Sequence, residues 1–188
     1  MEMGSLPTPL ERTIYFNKQV EQETIEEVTK QIIDINQDDA MLKKMYKNFD
    51  LKYKPKPIKI LISSYGGDVY QILSLIAVIE KSKTPVHTIA TGAAMSCGFI
   101  LLISGHKRFA YKYATPMYHQ VSSFNQGTLK DIQEDIDETE RLQKLLEKIT
   151  IEKTNITKEK LKKVYKTKHD WFMTAEEAKE YGVIDEII

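Results

Sequence analysis

Twice in succession this chain passes from a β-rich run through small residues into a helical apolar pattern, and that limits the fold more than any other feature. Ile58-Lys-Ile-Leu-Ile62 closes on Ser63-Ser-Tyr-Gly-Gly67, after which residues 68–79 return to a period near 3.6. Residues 85–90 are the next expected strand, and Thr91-Gly-Ala-Ala-Met95 is expected to turn it into a helix over residues 96–103. Repeated strand-to-helix units imply parallel strands joined by right-handed crossovers, so the expected class is α/β. No internal repeat or low-complexity tract interrupts the chain, and residues 1–188 read as one domain. With 41% apolar and 29% charged residues it has an ordinary soluble composition. At this length folding hides roughly 70% of the extended chain's surface, enough for a core without staples.

Around that centre the pattern is local. Thr13–Phe16 is a short expected strand, and Ile25, Val28, Ile32, Ile33 and Ile35 mark a helix over residues 25–35. Residues 37–57 are polar, lysine-rich and end in Lys-Pro-Lys-Pro, which reads as a loop with at most a helical turn near residues 41–45. Short strands are expected at residues 108–113 and 117–120, around Pro116. The longest helix is expected over residues 128–149, capped by Thr128, with Leu129, Ile132, Ile136, Leu142, Leu145, Leu146 and Ile149 in one stripe. A full apolar stripe has to be buried against something. The six lysines within residues 158–168 read as a solvated helix face. Thr174-Ala-Glu-Glu177 is a capping box opening a short helix that Gly182 stops, and residues 183–188 close the chain as a strand.

Several function classes are disfavoured. Twenty-seven Lys+Arg balance 27 Asp+Glu, so the positive excess of a nucleic-acid binder is missing. One cysteine, Cys97, allows neither an internal disulfide nor a multi-cysteine zinc site and points to a reducing, cytoplasmic compartment. Residues 1–12 hold Glu2, Glu11 and two prolines without an apolar run, unlike a secretory signal. The longest apolar stretch, residues 90–105, is interrupted by Thr91, Ser96, Ser104 and glycines and falls short of the roughly 20 cleaner residues a bilayer crossing needs, so no membrane role is expected. There is no Gly-x-Gly-x-x-Gly, no Gly-Lys-Ser/Thr and no His-x-x-x-His, so neither nucleotide, metal nor other cofactor is expected.

What remains is a set of individually weak nucleophile signals. A catalytic serine needs a base, a group that orients the base, and N–H donors for the oxyanion. Ser96 follows Gly-Ala-Ala and begins an apolar helix, where unpaired N–H groups favour negative charge; the plain alternative is a helix cap. Gly66-Gly67 ends a strand before a helix, where its N–H groups could face a ligand crevice, or it is simply a turn that only glycine tolerates. His119 sits at a strand end, His87 within a strand, His106 after a glycine turn, and His169 abuts Asp170. Asp170, before Trp171-Phe172, is either a partly buried acid requiring a partner or a surface turn acid. Spacing alone does not bring Ser96, His119 and Asp170 together.

Taken in order, Ser63-Ser-Tyr-Gly-Gly67, Thr91-Gly-Ala-Ala-Met-Ser96-Cys-Gly98, Met117-Tyr-His119-Gln120 and Asp170-Trp-Phe-Met-Thr-Ala-Glu-Glu-Ala-Lys-Glu-Tyr-Gly-Val-Ile-Asp185 resemble the proteolytic subunits of the Clp protease, from about Glu11 to Ile188. The resemblance implies an α/β crotonase-like fold of repeated β-β-α units, with residues 128–150 as a protruding handle helix. It implies Ser96 as nucleophile, His119 as general base, Asp170 as orienting acid, and the N–H groups of Gly67 and Cys97 as the oxyanion hole. It further implies hydrolysis of unfolded polypeptides inside a homo-oligomer of stacked heptameric rings, fed by a hexameric AAA+ unfoldase that supplies ATP-driven unfolding. The chain departs from the family in three places. Only ten residues precede Glu11, where relatives carry longer axial pore loops; residues 37–57 exceed the family's equivalent; and Val121 stands where proline commonly follows the His-Gln pair. Two rivals remain: a crotonase-type acyl-CoA hydratase or isomerase, which wants carboxylate bases in its pocket, and a catalytically silent structural subunit of a mixed ring.

Overall fold

The protein is described by a computed structural model covering residues 11–124, 126–167 and 170–188. Three strand-to-helix units open it: β1 (Thr13–Phe16) and α1 (Gln22–Lys47), β2 (Ile58–Ser64) and α2 (Val69–Lys81), β3 (Val86–Met95) and α3 (Cys97–Ile103). Then come β4 (Lys107–Ala110), β5 (Thr115–His119), α4 (Leu129–Lys153), α5 (Lys158–Thr167), β6 (Asp170–Phe172), α6 (Ala175–Glu180) and β7 (Glu186–Ile187). The seven strands among the described residues join one sheet in which β1, β2, β3, β4 and β7 run parallel in that order. The mixed α/β class expected from the crossovers is therefore present. Ile58, Ile60 and Ile62 of β2 are fully buried, as a central strand covered by helices requires.

Where expectation and structure differ, the cause is non-local. Thr91–Met95 is strand rather than turn. The first part of β3 pairs with β4 through residues 87–90, and its last part pairs with β5 at Ala93↔Thr115 and Met95↔Met117. Small residues that look like a turn in isolation thus have a strand beside them. Met117, Tyr118 and His119 also pair antiparallel with β6, and Pro116 lies inside β5.

The expected loop over residues 37–57 is helical as far as Lys47. Buried positions of α1 continue as Ile25, Val28, Ile32, Ile35 and Asp39, so the inward stripe does not stop but turns polar. Asp39 accepts from both terminal guanidinium nitrogens of Arg12 (2.9 and 2.5 Å), from Tyr53 Oη (2.5 Å) and from Thr84 Oγ1 (2.5 Å). Burial alone would raise its pKa; the bonds from Arg12, Thr84 and Tyr53 outweigh burial and hold it below the usual carboxylate range. A carboxyl whose folded pKa is depressed contributes stability above its unfolded value, near 3.9, and loses it as pH falls through the folded value. Asp39→Asn should therefore destabilise the chain by roughly 2 to 4 kcal/mol at neutral pH. In urea denaturation the gap from wild type should close as the pH drops below about 4. A gap unchanged by acid would show that the charge on Asp39 is not what matters.

In α4, Thr128 is the expected N-cap, and the structure adds Asp131 to it as a full capping box. Its apolar stripe, however, divides. Leu142 and Leu146 are buried and Ile149 packs on the core of the same chain, whereas Leu129 and Ile136 are exposed. Leu142, Leu146 and Ile149 thus find cover within the chain itself, while Leu145 is half-buried. Helix α5 buries Leu161 and Val164 and exposes most of its lysines. Lys160 is an exception, with its ammonium 4.5 Å from the Trp171 ring centroid and bonded to Tyr181 Oη. The closing strand shrinks to Glu186–Ile187, because Val183 and Ile184 are buried in the turn after α6, and Arg108 holds that turn through Asp185 and the Gly182 carbonyl. No helix among the described residues is long and apolar enough to cross a membrane. Residues 1–10 and His169 lie outside the described residues.

Candidate active site

Ser96 stands where β3 gives way to α3, with φ 54° and ψ −121°. A positive φ on a non-glycine residue costs on the order of 1–3 kcal/mol and persists only where its surroundings impose it. The imposing contact is the Ser96 N–H, which donates to the Met117 carbonyl of β5 at 3.0 Å. Ser96 occupies the N-cap position of α3, yet its side chain makes no capping bond. The hydroxyl instead lies 2.8 Å from His119 Nε2, so the plain reading of Ser96 as a cap is incorrect.

His119 ends β5, and its register partner in β6 is Asp170. That pairing puts the two side chains next to each other, with His119 Nδ1 3.6 Å from Asp170 Oδ1. The distance suits an ion pair but exceeds a hydrogen bond. Strand alternation sends Trp171 inward and leaves Asp170 exposed, so the acid is neither buried nor in a turn. Hydroxyl, imidazole and carboxylate therefore stand in a row, and such a row can draw the proton off the hydroxyl.

The Gly66-Gly67 loop lies against this turn. A β-carbon on Gly66 would come within 2.7 Å of Ser96 Cβ and 3.0 Å of Cys97 N. Gly67 is held from the other side, where Val20 N–H donates to the Gly66 carbonyl and Asp68 N–H to the Val20 carbonyl, both at 2.8 Å. Among the described residues, the N–H groups of Gly67 and Cys97 donate to no protein acceptor. The Cys97 thiol donates to the Gly67 carbonyl at 3.1 Å, and burial pushes its pKa up to about 11, so it stays protonated at neutral pH. The cleft beside Ser96 has an apolar wall of Val69, Ile100, Tyr118 and Leu146, and a second wall of Gln120, Val121 and Ser122.

All five site residues expected from the resemblance, Ser96, His119, Asp170, Gly67 and Cys97, thus fall in one region; His87 and His106 do not line this cleft. Residues not singled out beforehand also converge here: Tyr118, Gln143 and Tyr165 form a hydrogen-bonded cluster beneath it. Their only sequence signal is that polar atoms interrupt the inward faces of three elements.

A hydroxyl beside an imidazole, at the carboxyl end of a parallel sheet and next to a glycine loop, is the arrangement of an α/β enzyme whose ligand sits at the strand ends. The family model for the Clp protease matches residues 8–188. The chain belongs to the Clp protease family, a family of peptidases.

Proposed function

We propose that the chain is the proteolytic subunit of an ATP-dependent serine endopeptidase of the Clp type. In this reading Ser96 attacks the peptide carbonyl while His119 takes its proton and later returns it to the leaving amine. Asp170 steadies the imidazolium, and the N–H groups of Gly67 and Cys97 receive the oxyanion. The observation that carries the reading is the 2.8 Å contact between Ser96 Oγ and His119 Nε2 on a strained strand-to-helix turn. The 3.6 Å gap to Asp170 is compatible, since catalytic hydrogen bonds of unliganded sites often tighten only with substrate. An acyl-CoA hydratase or isomerase fits less well, because the described residues that line the cleft include no carboxylate.

The wider biology is part of the same proposal: a crotonase-like single domain over residues 1–188, stacked heptameric rings, an AAA+ unfoldase as partner, unfolded polypeptides as substrate and a cytoplasmic location. One core cluster that runs from Ile14 to Ile184 supports the single domain. In support of α4 as an oligomeric handle, Leu129 (86%) and Ile136 (40%) stand exposed on its outer half, and Phe124 (91%) precedes them. Covering such side chains is worth roughly 1.5–3 kcal/mol each. Leu129→Glu with Ile136→Glu should accordingly lower the mass measured by light scattering, with the circular dichroism melt of the chain retained; an unchanged mass would exclude this half of α4 from the interface. Chemistry and class are tested together by a fluorophosphonate probe and peptide mapping. One adduct, on Ser96, is the expected result, and an unlabelled folded protein would refute the serine mechanism.

A further inference from the structure

Just past His119 the chain leaves the sheet, and the described residues of 120–127 belong to neither helix nor strand. Among the described residues the main chain of this segment is tied at one point: Val121 N–H donates to Gln143 Oε1 of α4 at 2.8 Å. One further tie uses side chains, Thr139 Oγ1 to Ser123 Oγ at 3.2 Å. The carboxamide of Gln143 is itself gripped from behind. Its Nε2 donates to Tyr165 Oη at 2.5 Å and to Glu147 Oε1 at 3.1 Å, and Tyr165 Oη is 2.7 Å from Tyr118 Oη. Tyr118 immediately precedes His119, is buried, and meets Phe99 of α3 edge-on. One side chain of α4 therefore connects the strand that delivers His119, the segment that follows it, and α5.

We propose that Gln143 is a positioning residue for His119, acting through the Val121 main chain; this rests on the reading of Ser96 and His119 as nucleophile and base. The reason lies in what else holds the imidazole. Its Nδ1 is 3.6 Å from Asp170, too far for a hydrogen bond, so the carboxylate does not set its orientation closely. Orientation then falls to the main chain, which β5 fixes on one side of His119 and Val121 on the other. Without Gln143, the segment beyond the strand end keeps the packing of the Val121 side chain on the core and the Ser123–Thr139 side-chain contact, but no hydrogen bond to its main chain among the described residues. A displacement of an ångström between reacting groups can cost up to about 10²-fold in rate, and loss of one tether should cost about tenfold.

The readout is the second-order rate of Ser96 labelling by a small fluorophosphonate, which reports the Ser96–His119 pair without engaging the peptide-binding walls. Gln143→Leu, of similar bulk, should slow labelling about tenfold while the final extent and the melting temperature stay at wild-type values. Gln143→Glu keeps the acceptor for Val121 N–H and should recover the rate to within about threefold. If Gln143→Leu does not fold, Val121→Pro provides the second route. It removes the donor, so Val121→Pro with Gln143 unchanged and Val121→Pro combined with Gln143→Glu should label alike. Wild-type rates in Gln143→Leu, an equal slowing in Gln143→Glu, or a Gln143→Glu effect that persists on the Val121→Pro background would each overturn the inference. A change in peptide KM alone, with labelling unaltered, would also overturn it, because it would assign Gln143 to the cleft wall. If the wild-type protein is not labelled on Ser96 at all, the serine mechanism fails and this inference with it, which separates the two failures.

Discussion

Ser96→Ala should abolish peptide hydrolysis, with a loss on the order of 10⁶-fold, and leave the fold intact. The size of the effect follows from the proposed mechanism, in which without the hydroxyl no acyl-enzyme can form and His119 is left with no proton to accept. The small structural effect follows from the geometry. Because Ser96 makes no capping bond to α3, its replacement removes a single hydrogen bond, to His119, worth about 1 kcal/mol. Its N–H bond to the Met117 carbonyl, which helps hold the turn, is retained. Hydrolysis of a short fluorogenic peptide and a thermal melt measure the two parts. A folded Ser96→Ala protein with undiminished activity would refute the mechanism outright.

Gly67→Ala should be nearly as damaging, for a different reason. Gly67 has φ +148°, and a β-carbon there would lie 2.2 Å from the Val20 carbonyl oxygen. The obstacle is main chain on both sides, since Val20 is bonded to Gly66 and to Asp68, so no side-chain rotation relieves it. The loop has to shift, and with it the Gly67 N–H proposed for the oxyanion. Loss of one such donor costs about 10²–10³ in kcat. The expected result is a rate loss of that order in peptide hydrolysis, together with a lowered melting temperature. Near-normal kcat in Gly67→Ala would remove Gly67 from the oxyanion hole and leave it as a turn residue.

Much of the scaffold is legible in the residues because it depends on near neighbours. Ile58 to Ile62 announce a central strand, and Thr128 as a cap and Thr174 through its capping box announce helix starts that the structure contains. The misreadings share one cause. Residues 37–47 look like loop because the helical stripe continues through Asp39, whose burial depends on Arg12, Tyr53 and Thr84. Residues 91–95 look like a turn because their partner, β5, lies further along the chain. The stripe of α4 reads as continuous, yet Leu142 and Leu146 are buried within the chain itself, and the half left exposed is the more acidic one.

The site divides in the same way. The residue types and their order carry the likeness to the Clp protease, and so mark Ser96, His119, Asp170, Gly67 and Cys97 before any coordinates. What the sequence determined by itself was the α/β class, the helix starts and this set of candidates, since periodicity, capping and motif order are properties of short stretches of chain. Only the tertiary structure decided that Ser96 bonds to His119 rather than capping α3, that β5 and β6 pair in a register placing His119 beside Asp170, and that Gln143 reaches Val121. Those facts depend on which strands lie side by side and how far one is slid along the other. A shift of one residue in a strand register moves every side chain to the opposite face, and no local pattern around His119 or Asp170 encodes that choice.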